Sequence, residues 1–161
     1  MTEGMHQLAT QVLALARTHG IMLATAESCT GGLIAAALTE IAGSSDVVDR
    51  GFVTYSNAAK CEMLGVQSET LEAFGAVSEK TAAEMALGAR SLSRAGIAVS
   101  VTGVAGPGGG SAEKPVGRVC FGLSTPEGTV TETVDFGDLG RAGIREATVR
   151  HALQMIAARL G

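Results

Sequence analysis

The sequence predicts a single α/β domain over residues 1–161, folded as a three-layer α/β/α sandwich around a mixed β-sheet. Short apolar segments of strand length, at residues 21–25 and 97–101, lie between longer segments whose apolar residues recur at helical spacing. Residues 116–123 and 129–136 have the pattern of a β-hairpin, and hairpin strands pair antiparallel, so the sheet cannot be wholly parallel. A chain of 161 residues is also long enough to bury one substantial core.

The N-terminal part of the chain predicts a helix, a strand and a second helix. Residues 3–19 repeat apolar positions at helical spacing and stop at Gly20, a residue typical of helix C-caps. Residues 21–25 are apolar and predict a buried strand. Residues 33–41 continue as an apolar helix that ends near Gly43.

The middle of the chain predicts one strand followed by three helices. Residues 47–55 indicate a second strand region, bent or interrupted at residues 49–51, where Asp, Arg and Gly occur in succession. Residues 57–64 and 68–74 predict two short helices. A longer helix is expected at residues 78–94, because its first residue is a serine, which is a favourable N-cap.

The C-terminal part predicts a strand, the hairpin and a closing helix. Residues 97–101 (IAVSV) form the clearest strand and lead into a glycine-rich segment at residues 102–111. The two hairpin strands are expected to meet at the turn Pro126-Glu127-Gly128. Residues 141–160 predict an amphipathic helix.

Composition and charge exclude several classes of protein. The chain is 46% hydrophobic but only 3% aromatic, without Trp, so the core is expected to be aliphatic. The net charge of −4 argues against a nucleic-acid-binding protein, and no apolar stretch approaches the ~20 residues that span a bilayer. Cys29, Cys61 and Cys120 are far apart, which predicts neither a disulfide framework nor a zinc site. A cytoplasmic protein without metal or cofactor is therefore expected.

A run of small and polar residues, AESCTGG at residues 26–32, lies between the first strand and the second helix. Ligands of open α/β sheets bind beyond the carboxyl ends of strands, so the Ser28 hydroxyl is a candidate nucleophile. Backbone N–H groups of residues 30–32, at a helix N-terminus, attract an oxyanion or a phosphate. The turn taken alone favours the other role of such a serine, which is to cap the helix. Cys29 is a rival nucleophile or a small core residue, and Glu27 an acid–base group or an anion at the helix N-terminus.

A serine nucleophile needs a base that removes its proton. The three histidines all lie in the predicted terminal helices, whereas Lys60 belongs to a polar segment, residues 54–60, that follows the second strand. Lysine acts as a base where burial or a neighbouring cation lowers its pKa. The sequence therefore predicts a Ser28–Lys60 pair with Tyr55 as a hydrogen-bond relay.

The glycine-rich segment and the last helix are candidates for binding an anion. Glycines in residues 102–110 (TGVAGPGGG) let the backbone approach a phosphate or a ribose closely, although the segment is not a Walker A loop. An irregular connection between strands is the alternative, and Lys114 beyond it is either a lid cation or a surface charge. Arg141 and Arg145 share one helix face at a helix N-terminus, where cations are unfavourable unless an anion is near. Either arginine is a candidate for that anion, and solvated surface arginines are the alternative.

Four motifs in order resemble those of the CinA C-terminal-domain family: residues 26–32, 53–60, 75–78 and 102–109. The resemblance covers nearly the whole chain. It implies hydrolysis of the carboxamide of nicotinamide mononucleotide to nicotinate mononucleotide and ammonia. It also implies a homodimer or higher homo-oligomer, and the stand-alone form that lacks the additional N-terminal domain of many relatives.

The residues that match the catalytic positions of the family are Ser28, Lys60 and Tyr55. The substrate-binding residues predicted from the motifs together are Glu27, Thr30, Gly31, Gly32, Asn57, Thr102, Gly103, Ala105, Gly106, Pro107, Gly108, Arg141 and Arg145. Two other functions stay open: a catalytically silent nucleotide-binding module that regulates a partner, and a hydrolase of another small amide.

Overall fold

A computed structural model describes residues 1–161. The helices are α1 (Glu3–His19), α2 (Leu33–Thr39), α3 (Asn57–Leu64), α4 (Ser68–Phe74), α5 (Glu79–Ser91) and α6 (Gly140–Leu160). The strands are β1 (Leu23–Glu27), β2 (Val48–Val53), β3 (Ile97–Gly103), β4 (Arg118–Thr125) and β5 (Gly128–Asp135). No helix combines the length and the apolar character needed to cross a membrane.

The five strands form one mixed sheet in the order β2-β1-β3-β4-β5. Strands β2, β1 and β3 are parallel, while β4 runs antiparallel to β3 and pairs with β5 as a hairpin. The carboxyl ends of the three parallel strands therefore meet at one edge of the sheet. The segments that follow β1, β2 and β3 along the chain all begin at that edge.

Helices cover both faces of the sheet, which confirms the three-layer sandwich. Helices α1, α2 and α6 pack on one face around the larger core cluster, which includes Leu13, Phe121 and Leu153. Helix α5 covers the other face, with α3 and α4 beside it, around a smaller cluster that includes Leu64 and Met85. The core is almost wholly aliphatic, as the composition predicts.

Strand β1 begins two residues later than predicted, because the end of α1 uses the first residue of the apolar segment. Gly20 adopts a left-handed conformation, with φ of 65°, and its N–H donates to the carbonyl of Arg17. The N–H of Ile21 donates back to the carbonyl of Ala16, which completes the C-cap. Sheet pairing then begins at Leu23.

The predicted interruption of the second strand is a bulge inside a continuous strand. Leu23 pairs with Val48 and Ala24 pairs with Arg50, so Asp49 has no partner on β1. The Asp49 carboxylate instead accepts hydrogen bonds from Arg50 Nε and from the N–H of Arg94. A polar residue thus fits the strand because the bulge turns it towards other donors.

Strand β3 runs further than predicted and takes the first two residues of the glycine-rich segment. Thr102 pairs with Cys120 and Gly103 with Val119 on the antiparallel neighbour β4. Glycine is required at position 103, since a Cβ there would lie 2.7 Å from a methyl of Val119 and 2.8 Å from the carbonyl of Arg118. The loop proper therefore starts at Val104.

Candidate active site

A cavity of about 310 Å³ opens at the carboxyl edge of the parallel strands. Its walls come from the segments after β1, β2 and β3, from the α4–α5 connection and from the start of α6. Ten predicted site residues line it: Ser28, Tyr55, Asn57, Lys60, Thr102, Gly103, Ala105, Gly106, Gly108 and Arg141. Glu27, Thr30, Gly31, Gly32, Pro107 and Arg145 lie outside the lining.

Ser28 and Lys60 are in direct contact at the floor of this cavity. Lys60 Nζ lies 3.0 Å from Ser28 Oγ and 3.0 Å from the carbonyl oxygen of Thr54. The Lys60 side chain is buried, with 1% of the residue exposed, and Ser28 is 8% exposed. The sheet fixes this geometry, because the N–H of Ser28 donates to the carbonyl of Val101 and the N–H of Thr54 to that of Glu27.

Helix α3 carries Lys60 into the cavity. Ser56 caps its N-terminus, with the hydroxyl accepting from the N–H of Ala59. Lys60 falls in the first turn, and no carboxylate forms an ion pair with its ammonium group. Burial is the main cause that lowers the pKa of Lys60, against a smaller opposing effect of the Cys29 and Cys61 sulfurs. A lowered pKa favours the neutral amine, which is the form that accepts a proton.

The Glu27 carboxylate occupies the N-terminus of α2. It accepts from the N–H groups of Ile34 and Ala35, at 2.9 and 3.0 Å, and from the hydroxyl of Thr30 at 2.5 Å. Glu27 is 1% exposed and faces away from the cavity lining. Glu27 is therefore the anion at the helix N-terminus, which is one of the two roles that the sequence offered for it.

The turn after Ser28 retains three backbone donors. The N–H of Gly31 donates to the carbonyl of Ser28, and the N–H of Leu33 to that of Thr30. The N–H groups of Cys29, Thr30 and Gly32 donate to no acceptor within the protein. Donors one and two residues after a nucleophile are suited to stabilising the oxyanion of a tetrahedral intermediate.

Arg141 and Tyr55 form the rim of the cavity. Arg141 Nη1 donates to the carbonyl of Gly106 and Nη2 donates to the Tyr55 hydroxyl, at 2.8 and 3.0 Å. Tyr55 is 62% exposed and makes no hydrogen bond to Ser28 or Lys60. The direct Ser28–Lys60 contact leaves no gap that a tyrosine relay would bridge, and the Tyr55 hydroxyl instead meets the arginine.

Arg145 lies one helical turn further along α6 and contacts a different part of the site. Its Nε donates to the carbonyl of Cys29 at 3.1 Å and its Nη2 to that of Thr30 at 3.2 Å. It reaches the Ser28 turn from outside the cavity. Of the two arginines, Arg141 alone presents its guanidinium to the space a substrate would fill.

The glycine-rich loop supplies backbone to the opposite wall. Gly106 and Gly109 adopt positive φ values of 78° and 84°, which side chains other than glycine rarely tolerate. A Cβ on Gly106 would also lie 2.6 Å from a methyl of Val116. The Lys114 ammonium points away from the cavity and donates to the carbonyl of Phe74, at the end of α4.

Five lining residues were not among the predicted site residues: Cys29, Ala76, Val77, Val104 and Gly109. Ala76 and Val77 lie in the α4–α5 connection, and the Thr102 hydroxyl holds the carbonyl of Ala76 at 2.8 Å. Cys29 also lines the cavity, and burial raises the pKa of its thiol to about 11. The motif at residues 75–78, which contains Ala76 and Val77, is the signal of this wall in the sequence.

The charges around the cavity are of one sign. Lys60 and Arg141 line it, and no aspartate or glutamate does. The histidines contribute nothing, since His19 contacts the carbonyl of Leu160 and His151 pairs with Glu132 on β5. The site therefore combines a buried serine–lysine pair, free backbone donors and a cationic rim.

Comparisons with known proteins identify the family of this chain. Residues 5–160 match the family model described as the CinA C-terminal domain. The nicotinamide-nucleotide amidohydrolase PncC of Escherichia coli K12 is 50% identical over 152 residues, which are 93% of this chain and 91% of the relative. The enzyme of the same name from Enterobacter agglomerans is 58% identical over 126 residues, which are 78% of this chain and 77% of the relative.

Solved structures share the fold. The crystal structure of the competence/damage inducible protein CihA from Agrobacterium tumefaciens superposes with a TM-score of 0.96 at 57% identity, covering 98% of this chain and 96% of that one. A CinA superfamily protein from Enterobacter cloacae gives a TM-score of 0.92 at 35% identity, covering 98% and 92%. Since the family model and these relatives match almost the whole chain, the protein belongs to the CinA C-terminal domain family.

Proposed function

We propose that this protein is a nicotinamide-nucleotide amidohydrolase, which converts nicotinamide mononucleotide and water into nicotinate mononucleotide and ammonia. The observation that carries the proposal is the 3.0 Å contact between Ser28 Oγ and the buried Lys60 Nζ, in a cavity that Arg141 also lines and that no carboxylate lines. The names of the relatives from Escherichia coli and Enterobacter agglomerans support this substrate.

Ser28 acts as the nucleophile and Lys60 as its base in this proposal. The neutral amine of Lys60 donates one N–H to the Thr54 carbonyl, so that its lone pair faces the Ser28 hydroxyl. As Ser28 Oγ bonds to the carboxamide carbon, its proton passes to Lys60 Nζ. The negative charge moves to the amide oxygen, where the free N–H groups of Cys29 and Thr30 stabilise it. One such donor is typically worth ~3 kcal/mol.

The ammonium of Lys60 then serves as the acid for the leaving group. Its proton passes to the amide nitrogen as the carbon–nitrogen bond breaks, and ammonia leaves an ester on Ser28. Water attacks this ester while Lys60 takes one of its protons. The ester bond to Ser28 then breaks, the serine recovers a proton, and the acid is released, so the overall step consumes one water.

Arg141 and the glycine-rich loop bind the phosphate of the substrate in this proposal. Arg141 lies at the rim and already donates to the carbonyl of Gly106. Glycines 106, 108 and 109 expose backbone at the same wall, where N–H groups approach an anion closely. The Ser28–Lys60 pair at the floor then meets the carboxamide at the other end of the mononucleotide.

Ammonia release from nicotinamide mononucleotide tests the proposal. Purified wild-type protein is expected to release one ammonia per nicotinate mononucleotide formed, and the Ser28→Ala variant is expected to release none above background. Binding of the mononucleotide without turnover in the wild type would instead identify a silent nucleotide-binding module. Faster turnover of a different small amide in a substrate panel would identify another hydrolase.

We expect activity to fall as pH falls, with an acid limb set by Lys60. The pKa of Lys60 lies below the usual value of about 10.4, so the amine is protonated, and no longer acts as a base, only when the pH falls below that lowered pKa. Below it, kcat should drop about tenfold per pH unit. The measurement uses kcat at saturating substrate, because the substrate phosphate itself titrates near pH 6. A pH profile of kcat that is unchanged in a Lys60→Arg variant would contradict the assignment of the base.

We expect Cys29 to be chemically inert, although it lines the cavity. With its thiol pKa raised to about 11 by burial, fewer than about one molecule in a thousand carries the thiolate near neutral pH. Iodoacetamide treatment of a Cys61→Ala variant should therefore leave ammonia release unchanged and Cys29 unmodified by mass spectrometry. Inactivation in proportion to Cys29 alkylation would make Cys29 the rival nucleophile.

We also place the protein in the cytoplasm. Its three cysteines are unpaired, which suits a reducing compartment.

A further inference from the structure

Arg145 contacts the turn after Ser28 from outside the substrate cavity. It donates to the carbonyls of Cys29 and Thr30 at 3.1 and 3.2 Å, and it does not line the cavity. No other group in the protein donates to the Cys29 carbonyl, whereas the Thr30 carbonyl also accepts from the N–H of Leu33. Arg145 therefore supplies a contact that the turn cannot replace from its own backbone.

These contacts fix the orientation of the peptide planes that follow Ser28. In a trans peptide the C=O and the N–H point in opposite directions, so holding the carbonyl also aims the N–H. The plane after Ser28 is held by the bond from the Gly31 N–H to the Ser28 carbonyl. Arg145 holds the next two planes through the carbonyls of Cys29 and Thr30. The N–H of Thr30 shares its plane with the Cys29 carbonyl and thus points away from Arg145.

The guanidinium also packs closely on the turn. Gly31 has a φ of 57°, and a Cβ on it would lie 3.4 Å from Arg145 Nη2. Cys29 is 6% exposed and Thr30 is wholly buried. The positive charge of Arg145 also acts on the site. It lowers the pKa of the Cys29 thiol, although the larger effect of burial raises that pKa.

We propose that Arg145 is a positioning residue of the amidase site, which holds the Cys29–Thr30 and Thr30–Gly31 peptide planes so that the oxyanion donors after Ser28 stay aimed. This inference rests on the function proposed above. Arg145 touches neither the substrate nor the reacting atoms. Its neighbour Arg141 has the different task of meeting the phosphate, although the two side chains share one helix face.

The two tasks predict opposite kinetic signatures. Arg145→Met keeps the side-chain stem but removes both donors, and kcat should fall about 100-fold while KM changes by less than about twofold. The lysine of Arg145→Lys can donate to one of the two carbonyls but not to both at once. Its kcat should therefore lie between that of the wild type and that of Arg145→Met. Arg141→Met should instead raise KM with a smaller change in kcat. Arg150→Met, on the same helix and away from the cavity, is the matched control and should match the wild type.

Thermal unfolding of each variant separates positioning from folding. A merely structural arginine would lower the melting temperature and leave the kcat of the folded fraction unchanged. Added guanidinium ion at millimolar concentration should restore part of the kcat of Arg145→Ala, because it can occupy the same two carbonyls. A raised KM with wild-type kcat in Arg145→Met, or a wild-type kcat in Arg145→Lys with no rescue of Arg145→Ala, overturns the inference.

A reaction that needs no nucleotide separates this inference from the proposed function. Phenylmethylsulfonyl fluoride modifies activated serines: the oxygen–sulfur bond forms, fluoride leaves, and the serine proton passes to the base. If the wild type does not hydrolyse nicotinamide mononucleotide but is labelled at Ser28, the substrate proposal fails alone. Labelling of Arg145→Met about tenfold slower than wild type then supports the positioning role, and equal rates overturn it. A wild type that neither turns over nor labels overturns both.

Discussion

Replacing Lys60 with methionine is expected to abolish turnover and at the same time to stabilise the fold. Lys60 is the only group within hydrogen-bond distance of Ser28 Oγ that can accept its proton. Methionine fills a similar volume but has no basic nitrogen. In the proposed mechanism the same nitrogen also protonates the leaving ammonia, so we expect kcat to fall on the order of 10⁴-fold.

The gain in stability follows from the cost of burying an amine. Burial lowers the pKa of Lys60, so the folded state binds a proton less readily than the unfolded chain, whose lysine has a pKa of about 10.4. The free energy of unfolding of the wild type therefore rises with pH between the lowered folded pKa and about 10.4. Near pH 7 the methionine variant avoids the cost of burying an amine, but it loses the contacts to Ser28 and Thr54. We expect its free energy of unfolding to exceed that of the wild type by about 1–2 kcal/mol.

Urea unfolding at about pH 7 and about pH 9.5 measures both parts of this expectation. The difference in free energy of unfolding between Lys60→Met and the wild type should be larger at the lower pH and smaller at the higher pH. Lys80→Met is the matched control, since Lys80 is exposed on α5 and should change neither activity nor stability. A Lys60→Met variant with wild-type kcat would remove Lys60 from the mechanism. If Lys60→Met were less stable than the wild type at both pH values, the contacts of Lys60 with Ser28 and Thr54 would contribute more to stability than the burial of its amine costs.

The sequence predicts the contact between Ser28 and Lys60 because lysines are scarce and few polar residues follow a predicted strand. Only three lysines occur, and only Lys60 follows a predicted strand in a polar segment. Ser28 follows another strand of the same parallel set, so both residues reach one edge of the sheet. The order of the elements alone brings Ser28 and Lys60 to this edge. The two-residue error in the predicted start of β1 therefore does not affect the prediction.

The surroundings of Ser28 depend on geometry that spacing does not encode. Glu27 reaches the N–H groups of Ile34 and Ala35, seven and eight residues ahead, only because Gly31 and Gly32 turn the chain through positive φ. The sequence offers two roles for Glu27, an acid–base group or an anion at the helix N-terminus, and its pattern does not choose between them. The buried contacts of Glu27 assign it to the fold of the turn.

The two arginines of α6 show a similar limit of prediction from residue spacing. Spacing of four residues correctly places Arg141 and Arg145 on one face, but consecutive turns of a helix are about 5.4 Å apart along its axis. That separation is enough for Arg141 to meet the glycine-rich loop while Arg145 meets the Ser28 turn. Which arginine faces the cavity is decided by how α6 crosses the sheet, and no local pattern reports that crossing.

Replacing Gly88 with alanine is expected to damage both the fold and the site, from a position outside the cavity. Gly88 lies in α5 where α3 crosses closest, and a Cβ there would lie 2.0 Å from the carbonyl oxygen of Leu64 and 2.9 Å from its carbon. Both are backbone atoms at the end of α3, so the clash cannot be relieved by rotating a side chain. The two helices must separate.

Separation of α3 from α5 carries Lys60 with it, since Lys60 lies one helical turn before Leu64. We expect Gly88→Ala to lower the free energy of unfolding by about 2–3 kcal/mol, although alanine alone would favour the helix by about 1 kcal/mol. A displacement of the Lys60 amine by about 1 Å should also reduce the kcat of the folded protein about 100-fold. Urea unfolding and ammonia release at a temperature where the variant is folded measure the two effects.

Gly4→Ala is the control that separates close packing from helix propensity. Gly4 is also helical, in α1, but a Cβ there would meet only the Arg150 guanidinium, at an ordinary 3.6 Å. The same substitution should therefore be neutral or stabilising by up to about 1 kcal/mol, with unchanged kcat. If Gly88→Ala lost stability but kept its kcat, the contact between α3 and α5 would support the fold without setting the serine–lysine distance. Loss of both, against a silent Gly4→Ala, would show that the backbone contact at Gly88 sets the reach of the catalytic base.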